Sequence, residues 1–160
     1  MTLGTTCHLG LGGNLGDPHA LFDELERRMA ADPRVDAFEM SPRYASAPVD
    51  ATGPDYINAV ARLQWTDTPE ALLALCMQLE SDLGRVRSVR NAPRLIDVDV
   101  LLFGDQVRNS PELTVPHPRL HTRRFVLAPL LDLSPDIEIP GLGPAAHWLP
   151  NTQDQVCKRI

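Results

Sequence analysis

The repeat distance between apolar residues changes several times along this chain, and this change limits its possible folds more than any other feature. Residues 55–65 alternate between apolar and polar side chains, which is the two-residue repeat of a strand with one buried face. Residues 5–12 and 35–45 are also predicted as strands, and the nearly continuous apolar run at 95–103 predicts a buried strand. Four strands are therefore predicted, with other segments between them.

In two of the intervening segments, the apolar residues are spaced as on one face of a helix. Asp17-Pro18 begins the first, with Asp as the N-cap and Pro at the first helical position, and Pro33 closes it. Thr68-Pro69-Glu70 begins the second, and Gly84 ends it. The two apolar stripes are Leu21, Phe22, Leu25 and Met29 in the first helix, and Leu72, Leu75, Cys76, Leu79 and Leu83 in the second.

The order strand–helix–strand–strand–helix–strand predicts the split βαβ arrangement of ferredoxin-like folds. No repeat, low-complexity tract or linker interrupts residues 1–160, so a single domain is expected. A third helix is predicted from a Thr122 cap through Leu131, with Pro129 kinking or ending it. The proline-rich last quarter is expected to form short elements that pack over the core.

The composition is typical of a globular cytoplasmic protein. Of the 160 residues, 43% are hydrophobic and 22% are charged, and no run of about 18 apolar residues predicts a membrane span. The first residues are broken by glycines and do not resemble a signal peptide. Cys7, Cys76 and Cys157 are scattered, which disfavours a disulfide scaffold or a cysteine-based zinc site and is typical of a reducing cytosol. No heptad or long apolar edge is visible, so a monomer is expected.

The basic residues are almost all arginine. The chain has 14 arginines and a single lysine, Lys158, which excludes a P-loop, the strand lysine of protein kinases and Schiff-base chemistry. A GC-rich genome would produce the same bias. Eight of the arginines, however, lie between Arg85 and Arg124. The net charge of the whole chain is −6, and this negative charge argues against non-specific nucleic-acid binding.

Asp97 and Asp99 lie two residues apart in the predicted strand 95–103. Because successive strand residues point to opposite faces, both carboxylates point the same way, with Cα atoms about 6.5–7 Å apart. Two such carboxylates can hold a pair of Mg²⁺ ions about 3.5–4 Å apart, the arrangement used for transfer at phosphorus. A strand whose polar face meets water is the alternative, but the apolar flanking residues favour the metal site.

The segment 84–94, which precedes this strand, is rich in arginine. Each arginine can bind two phosphate oxygens at once and stays charged at any physiological pH. The segment could therefore bind a polyphosphate that is bridged by Mg²⁺. A solvated basic loop is the alternative. Glu80, on the preceding helix, could pair with an arginine or simply face solvent.

A third cluster spans residues 116–125. His117 and His121 have a spacing that could bind zinc on a helix, but Pro118 lies between them and no obvious third ligand follows. A phosphate contact or a packed histidine is therefore favoured. Phe125 is predicted to be core, or a flat surface for an aromatic ligand.

The glycine stretch 10–16 is one residue too long for the dinucleotide-binding fingerprint. It is interpreted as a turn that needs positive φ values and close backbone packing. The isolated histidines, interpreted as structural, are His8, His19 and His147.

Several blocks taken together resemble the bacterial 6-hydroxymethyl-7,8-dihydropterin pyrophosphokinase family of folate biosynthesis. They follow in the family's order from residue 9 to residue 136, and they are LGLGGNLGD, SPRYASAPV, GPDYINAV, QLESDLGRVR, NAPRLIDVDVLLFGD and LTVPHPRLHTRRFVLAPLLDLSPD. The family transfers the terminal diphosphate of ATP to the hydroxymethyl oxygen of the pterin and releases AMP, using two Mg²⁺ ions. The resemblance implies an α+β, ferredoxin-like α/β/α fold with a central, mainly antiparallel sheet and helices on both faces.

The resemblance also implies roles for individual residues. Asp97 and Asp99 are expected to hold the Mg²⁺ ions, and Glu80 to lie near the nucleotide. The residues expected to meet phosphates and act in catalysis are Arg85, Arg87, Arg94, His117 and Arg123. In the pterin pocket, the Asn58 amide is expected to hydrogen-bond the edge of the pterin, and the Tyr56 and Phe125 rings are expected to flank its faces. The backbone around Ser46 and Val49 is expected to complete this pocket.

The chain departs from the family pattern at a few positions. Asn91-Ala92 stands where many members have Trp-Gly, Gly13 where serine is frequent, and Met77 where some members place a glutamine. None of these touches the two aspartates, so an active enzyme with altered loop behaviour is expected. Residues 85–93 are predicted to be mobile without ligand and to close over Mg·ATP.

Two other functions remain open from the sequence. One is a different metal-dependent phosphotransferase or hydrolase, for example with water as the acceptor. The other is a non-enzymatic module that binds a nucleotide or a pterin.

Overall fold

The structure is a computed structural model that describes residues 4–47, 53–84 and 95–160. The predictions for Val49, for Arg85, Arg87 and Arg94 and for the loop 85–93 lie outside the described residues. No helix within the described ranges is long and apolar enough to cross a membrane.

A six-stranded sheet forms the centre of the molecule, and its described strand pairs are antiparallel. Its strands are β1 (Thr5–Gly13), β2 (Val35–Met40), β3 (Tyr44–Ser46), β4 (Tyr56–Trp65), β5 (Asp97–Phe103) and β10 (Cys157–Arg159). The spatial order is β10-β3-β4-β1-β5, and β2 pairs with the same edge of β4 further along that strand. With β2 and β3 taken as one interrupted strand, this is the order of a split βαβ fold.

Three α-helices cover the two faces of the sheet, and they are α1 (Pro18–Ala31), α2 (Pro69–Gly84) and α3 (Arg124–Leu133). Helices α1 and α2 pack on one face, where β1, β2 and β5 contact them. Helix α3 packs on the other face against β3 and β4, together with a 3₁₀ helix at Ala145–Thr152. The predicted α/β/α layering is confirmed.

Shorter elements complete the chain, and they are β6 (Arg108–Asn109), β7 (Thr114–Val115), a 3₁₀ turn at Leu120–Thr122, β8 (Glu138–Ile139) and β9 (Gly143–Pro144). Strands β6 and β7 form one small hairpin, and β8 and β9 form another. The prediction of short elements in the last quarter is confirmed for β8, β9 and the 3₁₀ helix. It missed β10, which pairs with β3 and so extends the main sheet.

The alternation of the strands divides the core into two layers. Odd-numbered residues of β1 and β4, such as Leu9 and Leu63, are buried against α1 and α2. Val60 and Leu101 belong to the second layer, under α3. Helix α3 leaves part of its face of the sheet uncovered, and this part of the sheet carries Asn58, Asp97 and Asp99.

Several predicted boundaries were right and some were wrong. The Asp17 carboxylate accepts a hydrogen bond from the N–H of Ala20, as an N-cap should. The predicted strand 35–45 is in fact two strands, because β2 ends at Met40 and β3 begins at Tyr44. Pro42 lies in the gap and has no N–H with which to pair with a neighbouring strand. Thr122 does not cap α3, because its hydroxyl donates to the carbonyl of Arg119 and the helix begins at Arg124.

Candidate active site

The middle of the sheet has an open floor on its α3 face, because the central strand carries glycine there. In β1, Gly12 lies between Asn58 of β4 and Asp97 of β5, and Gly10 lies between Val60 and Asp99. A Cβ on Gly12 would come within 3.2 Å of the Asn58 amide nitrogen, and one on Gly10 within 3.2 Å of the Leu101 side chain. Both residues lie in the strand, so the interpretation of the stretch as a turn was wrong for them. Within the stretch 10–16, positive φ occurs at Gly16.

Above this floor lies a cleft of about 850 Å³. The sheet supplies its base, the start of α3 with the preceding residues supplies one side, and the C-terminal segment supplies another. Of the site residues predicted from sequence, those that line this cleft are Ser46, Tyr56, Asn58, Asp97, Asp99, His117, Arg123 and Phe125. The strand register places the Asn58 and Asp97 backbones two strand spacings apart, which is about 10 Å.

Asp97 and Asp99 point into the cleft together. Both are exposed, whereas Val98 and Val100 are buried on the opposite face, as the two-residue repeat predicted. No cluster of three or more His, Cys, Asp or Glu side chains that could hold a metal ion occurs in the described ranges, and Asp97 and Asp99 form a pair of carboxylates on one strand face. Such a pair fits Mg²⁺, which commonly binds one or two protein carboxylates and takes its other ligands from substrate phosphates and water.

Glu80 lies behind the aspartate pair and does not line the cleft among the described residues. Its carboxylate accepts a hydrogen bond of 2.9 Å from the N–H of Val98, the residue between Asp97 and Asp99. This bond ties helix α2 to the start of β5. The placement gives Glu80 a contact with the strand that carries the two aspartates.

Basic side chains gather on the side of the cleft nearest β5. The Asp99 carboxylate acts on both His117 and Arg123 electrostatically, and Arg119 also lines the cleft. Burial lowers the pKa of His117 below its usual value, with nearby Arg123 and Arg119 adding to the effect and Asp99 opposing it. Burial also lowers the pKa of the Arg123 guanidinium, although an arginine stays charged at neutral pH.

His117 is held by its backbone and its ring. Its N–H donates to the carbonyl of Leu101 at 2.9 Å, and its ring Nδ1 accepts the N–H of Arg119 at 3.1 Å. Because Nδ1 accepts, the neutral imidazole carries its proton on Nε2. The ring can therefore donate one hydrogen bond to an anionic ligand while adding little charge of its own.

The cleft also contains groups suited to a flat heteroaromatic ligand. The Asn58 side chain is buried, and its Oδ1 accepts a hydrogen bond of 2.7 Å from the Ser46 hydroxyl. This bond leaves the Asn58 amide N–H₂ directed toward the space over Gly12. Tyr56 and Phe125 also line the cleft. A buried amide beside aromatic rings can satisfy the donor–acceptor edge of a heteroaromatic ring.

The cleft also includes residues that the sequence did not single out. Arg119 belongs to the predicted cluster 116–125 but was given no role there. The C-terminal residues that line the cleft are Asp154, Gln155, Val156 and Cys157. No local pattern marks them, because they reach the cleft only through the pairing of β10 with β3. His121, in contrast, lies against the Trp148 ring, with ring centroids 4.8 Å apart.

A family model and several known proteins that match this chain carry equivalent descriptions. A family model described as 7,8-dihydro-6-hydroxymethylpterin-pyrophosphokinase matches residues 8–135. A 2-amino-4-hydroxy-6-hydroxymethyldihydropteridine pyrophosphokinase of Pseudomonas aeruginosa is 40% identical over 138 residues, covering 83% of each chain. The protein of the same description from Methylorubrum extorquens is 37% identical, covering 86% of this chain and 87% of its own.

Longer proteins contain the same unit. The folic acid synthesis protein fol1 of Schizosaccharomyces pombe is 34% identical over 83% of this chain, which corresponds to 18% of its own length. Among solved structures, an HPPK-DHPS in complex with substrates matches with a TM-score of 0.71 at 10% identity, covering 96% of this chain. Wild-type HPPK-DHPS of Plasmodium falciparum matches with a TM-score of 0.67 at 13% identity. This chain spans 44% and 41% of those two solved chains, and at such identities the likeness shows the fold.

Proposed function

The chain belongs to the 7,8-dihydro-6-hydroxymethylpterin-pyrophosphokinase family, and we propose that its cleft transfers diphosphate from ATP to 6-hydroxymethyl-7,8-dihydropterin in folate biosynthesis. In this reaction the hydroxymethyl oxygen forms a bond to the β-phosphorus of ATP. The bond from that phosphorus to the bridging oxygen of the α-phosphate breaks, AMP leaves, and the hydroxyl proton is released.

One observation carries the proposal for this chain. A carboxylate pair on β5, a cluster of basic side chains, a buried amide on β4 and two aromatic rings all line a single cleft. The separation of about 10 Å across β1 suits a ligand pair in which a pterin ring and a polyphosphate meet in the middle. Phosphoryl-transfer enzymes act mainly by such positioning and by charge neutralisation.

The residues of the cleft divide the work. Asn58, oriented by Ser46, binds the pterin edge, and Tyr56 and Phe125 flank the ring. Arg123 and His117 bind phosphate oxygens, the first with a full charge and the second with the N–H of a neutral ring. Arg85, Arg87 and Arg94 are proposed from sequence alone to join them, and Val49 to complete the pterin pocket.

Asp97 and Asp99 would hold Mg²⁺. Bound Mg²⁺ supplies charge neutralisation for the polyphosphate and polarises the oxygens it contacts. Without a cation, two carboxylates on neighbouring positions of one strand face would repel both each other and the triphosphate. The chemistry of this donor pair therefore fits a metal that is itself bound by the nucleotide, and we propose two such ions.

The decisive experiment follows AMP formation from Mg·ATP with and without the reduced hydroxymethylpterin. Pterin-dependent AMP is the expected result. AMP or ADP release that does not need the pterin would indicate a hydrolase, and binding of both ligands without turnover would indicate a binding module. Either outcome would overturn the proposal.

The aspartate pair gives the matched mutational test. Asp97→Asn and Asp99→Asn should each lower turnover at least about a hundredfold, since the loss of a metal site removes several kcal/mol of transition-state stabilisation. Asp105→Asn changes an exposed carboxylate in the turn after β5 and should keep the wild-type rate. Near wild-type activity in either cleft variant would contradict the metal assignment.

We further propose a single domain that works as a monomer in the cytosol. The first and last strands of the chain, β1 and β10, belong to the same sheet, which supports one domain. Cys7, Cys76 and Cys157 are free thiols, as expected in a reducing compartment. A sedimentation measurement of mass near 17.7 kDa would support the monomer.

A further inference from the structure

The C-terminal segment makes an unusual contact beside Arg123. The carboxamide of Gln155 accepts a hydrogen bond of 2.9 Å from the N–H of Arg124 and donates one of 2.8 Å to the carbonyl of Thr122. These two backbone groups flank Arg123 on either side. One side chain therefore binds both peptide units around the residue, as a neighbouring strand would.

Arg123 needs such support because of its local conformation. Its backbone is extended, with φ −118° and ψ 115°, and it sits between a 3₁₀ turn and helix α3 without belonging to either. Its own side chain makes no cap bond to helix α3. Its carbonyl accepts the N–H groups of Val126 and Leu127, and the Gln155 carboxamide pairs the N–H of Arg124 and the carbonyl of Thr122 in the two adjoining peptide units.

Gln155 is itself anchored. Its N–H donates to the carbonyl of Thr152, a buried residue whose hydroxyl donates to Leu149. Two residues further on, β10 begins and pairs with β3, and the N–H of Ile160 donates to the carbonyl of Arg43. The carboxamide is thus fixed from the 3₁₀ helix on one side and from the sheet on the other.

The side chain that this contact orients lies in the cleft. Arg123 lines it beside Asp99, and its guanidinium lies 5.6 Å from the centre of the Phe125 ring. We propose that Gln155 is a positioning residue, which holds the Arg123 backbone so that its guanidinium faces the phosphates of the nucleotide. This inference rests on the proposed function, and it concerns a part of the chain beyond residues 8–135 that the family model matches.

The test uses an isosteric variant and a double-mutant cycle. Gln155→Met keeps the length of the side chain but removes both hydrogen bonds, and kcat/KM for ATP should fall about tenfold. The KM for the pterin should change less than about twofold, since helix α3 still holds Phe125. Gln153→Met changes an exposed glutamine two residues earlier and should behave as wild type.

The cycle separates positioning from general structural support. If Gln155 acts through Arg123, then Gln155→Met should have almost no further effect on kcat/KM in an Arg123→Ala background. Multiplicative losses in the double variant would overturn the proposal, because Gln155 would then act independently of Arg123. A thermal melt of each variant shows whether it is folded. Gln155→Glu keeps the hydrogen-bond acceptor but not the donor, and its kcat/KM should lie between those of the wild type and Gln155→Met.

A second measurement does not depend on catalysis. In ¹⁵N-labelled protein, the side-chain Nε–H signal of Arg123 should shift or broaden in Gln155→Met and stay unchanged in Gln153→Met. An unchanged signal would overturn the positioning role whatever the enzyme's activity. A wild-type protein that forms no pterin-dependent AMP would instead contradict the proposed function and leave this signal interpretable.

Discussion

Single atoms decide the shape of the cleft. The missing Cβ atoms of Gly10 and Gly12 leave space between two strands whose side chains carry the chemistry. Gly13 has a different reason, since a Cβ there would lie 2.6 Å from the backbone carbonyl oxygen of Leu95. The serine that the family resemblance led us to expect at this position would require that segment to shift. The departure at Gly13 is therefore a packing feature of this chain.

The buried amide of Asn58 is expected to control pterin affinity. Asn58→Ala should weaken pterin binding by about 1–3 kcal/mol, because the ligand edge would then lose its partner in a dry site. Ser46→Ala should cause a smaller loss by freeing the Asn58 amide to rotate. Calorimetry on each ligand is the measurement, and ATP affinity should barely change.

Exposed Asn151 provides the control for this pair, and Asn151→Ala should leave both affinities as in the wild type. Equal losses for pterin and ATP in Asn58→Ala would indicate a folding defect and contradict a specific role in the pterin pocket.

At the scale of elements, the contact between α2 and β5 holds the aspartate pair in place. The Glu80 carboxylate accepts a hydrogen bond from the backbone N–H of Val98, the residue between Asp97 and Asp99. The sequence placed Glu80 near the nucleotide by resemblance, and the structure shows its contact with the strand that carries the aspartates.

Truncation of Glu80 should therefore act on stability. Glu80→Ala leaves the N–H of Val98 without its acceptor and should lower the free energy of unfolding by about 1–3 kcal/mol. Glu80→Gln keeps an acceptor and should lose less, and Gln78→Ala, at an exposed position of the same helix, should lose about 0.5 kcal/mol or less. Urea denaturation measures all three. A variant with unchanged stability but weaker ATP binding would instead support a direct contact with the nucleotide.

At the scale of the whole molecule, a buried histidine links stability to pH. His8 is 3% exposed, its Nε2 lies 3.0 Å from the Ser134 hydroxyl, and Nδ1 has no partner among the described residues. Burial, with the nearby Arg62 charge, lowers the pKa of His8 from 6.5 to about 4. The folded protein thus keeps this ring neutral at a pH where the unfolded chain would bind a proton.

The sign of the effect follows from proton binding. Between pH 6.5 and about 4 the unfolded state binds more protons at His8, so the free energy of unfolding should fall as the pH falls, by up to about 3 kcal/mol. Above pH 6.5 this contribution is fully present. The half-buried Glu24 carboxylate has its pKa lowered from 4.5 to about 2 by hydrogen bonds from Arg27 and Arg28, so its contribution is lost as the pH falls from about 4.5 to about 2.

Urea denaturation at pH 7 and at pH 5 is the measurement. His8→Gln should flatten the pH dependence, whereas His147→Gln, at an exposed position, should keep it. An unchanged slope in His8→Gln would assign the acid sensitivity to other groups.

The sequence by itself determined the elements and the faces on which their residues lie. Helices α1 and α2, strand β4 and the shared direction of Asp97 and Asp99 follow from repeats of two or three to four residues. Such repeats depend on covalent geometry within a few positions. The family resemblance added the proposed roles of residues such as Asn58 and Arg123, which no periodicity could supply.

Only the tertiary structure decided how distant segments meet. The glycine floor depends on the register of three strands, the bond from Val98 to Glu80 joins residues 18 apart, and the contacts of Gln155 reach 31 and 33 residues back. Each contact involves a common polar residue or glycine whose neighbours in sequence carry no mark of the partner. The strand register and the anchoring of β10 are set by packing of the whole core, because only the assembled sheet brings these groups within hydrogen-bonding distance.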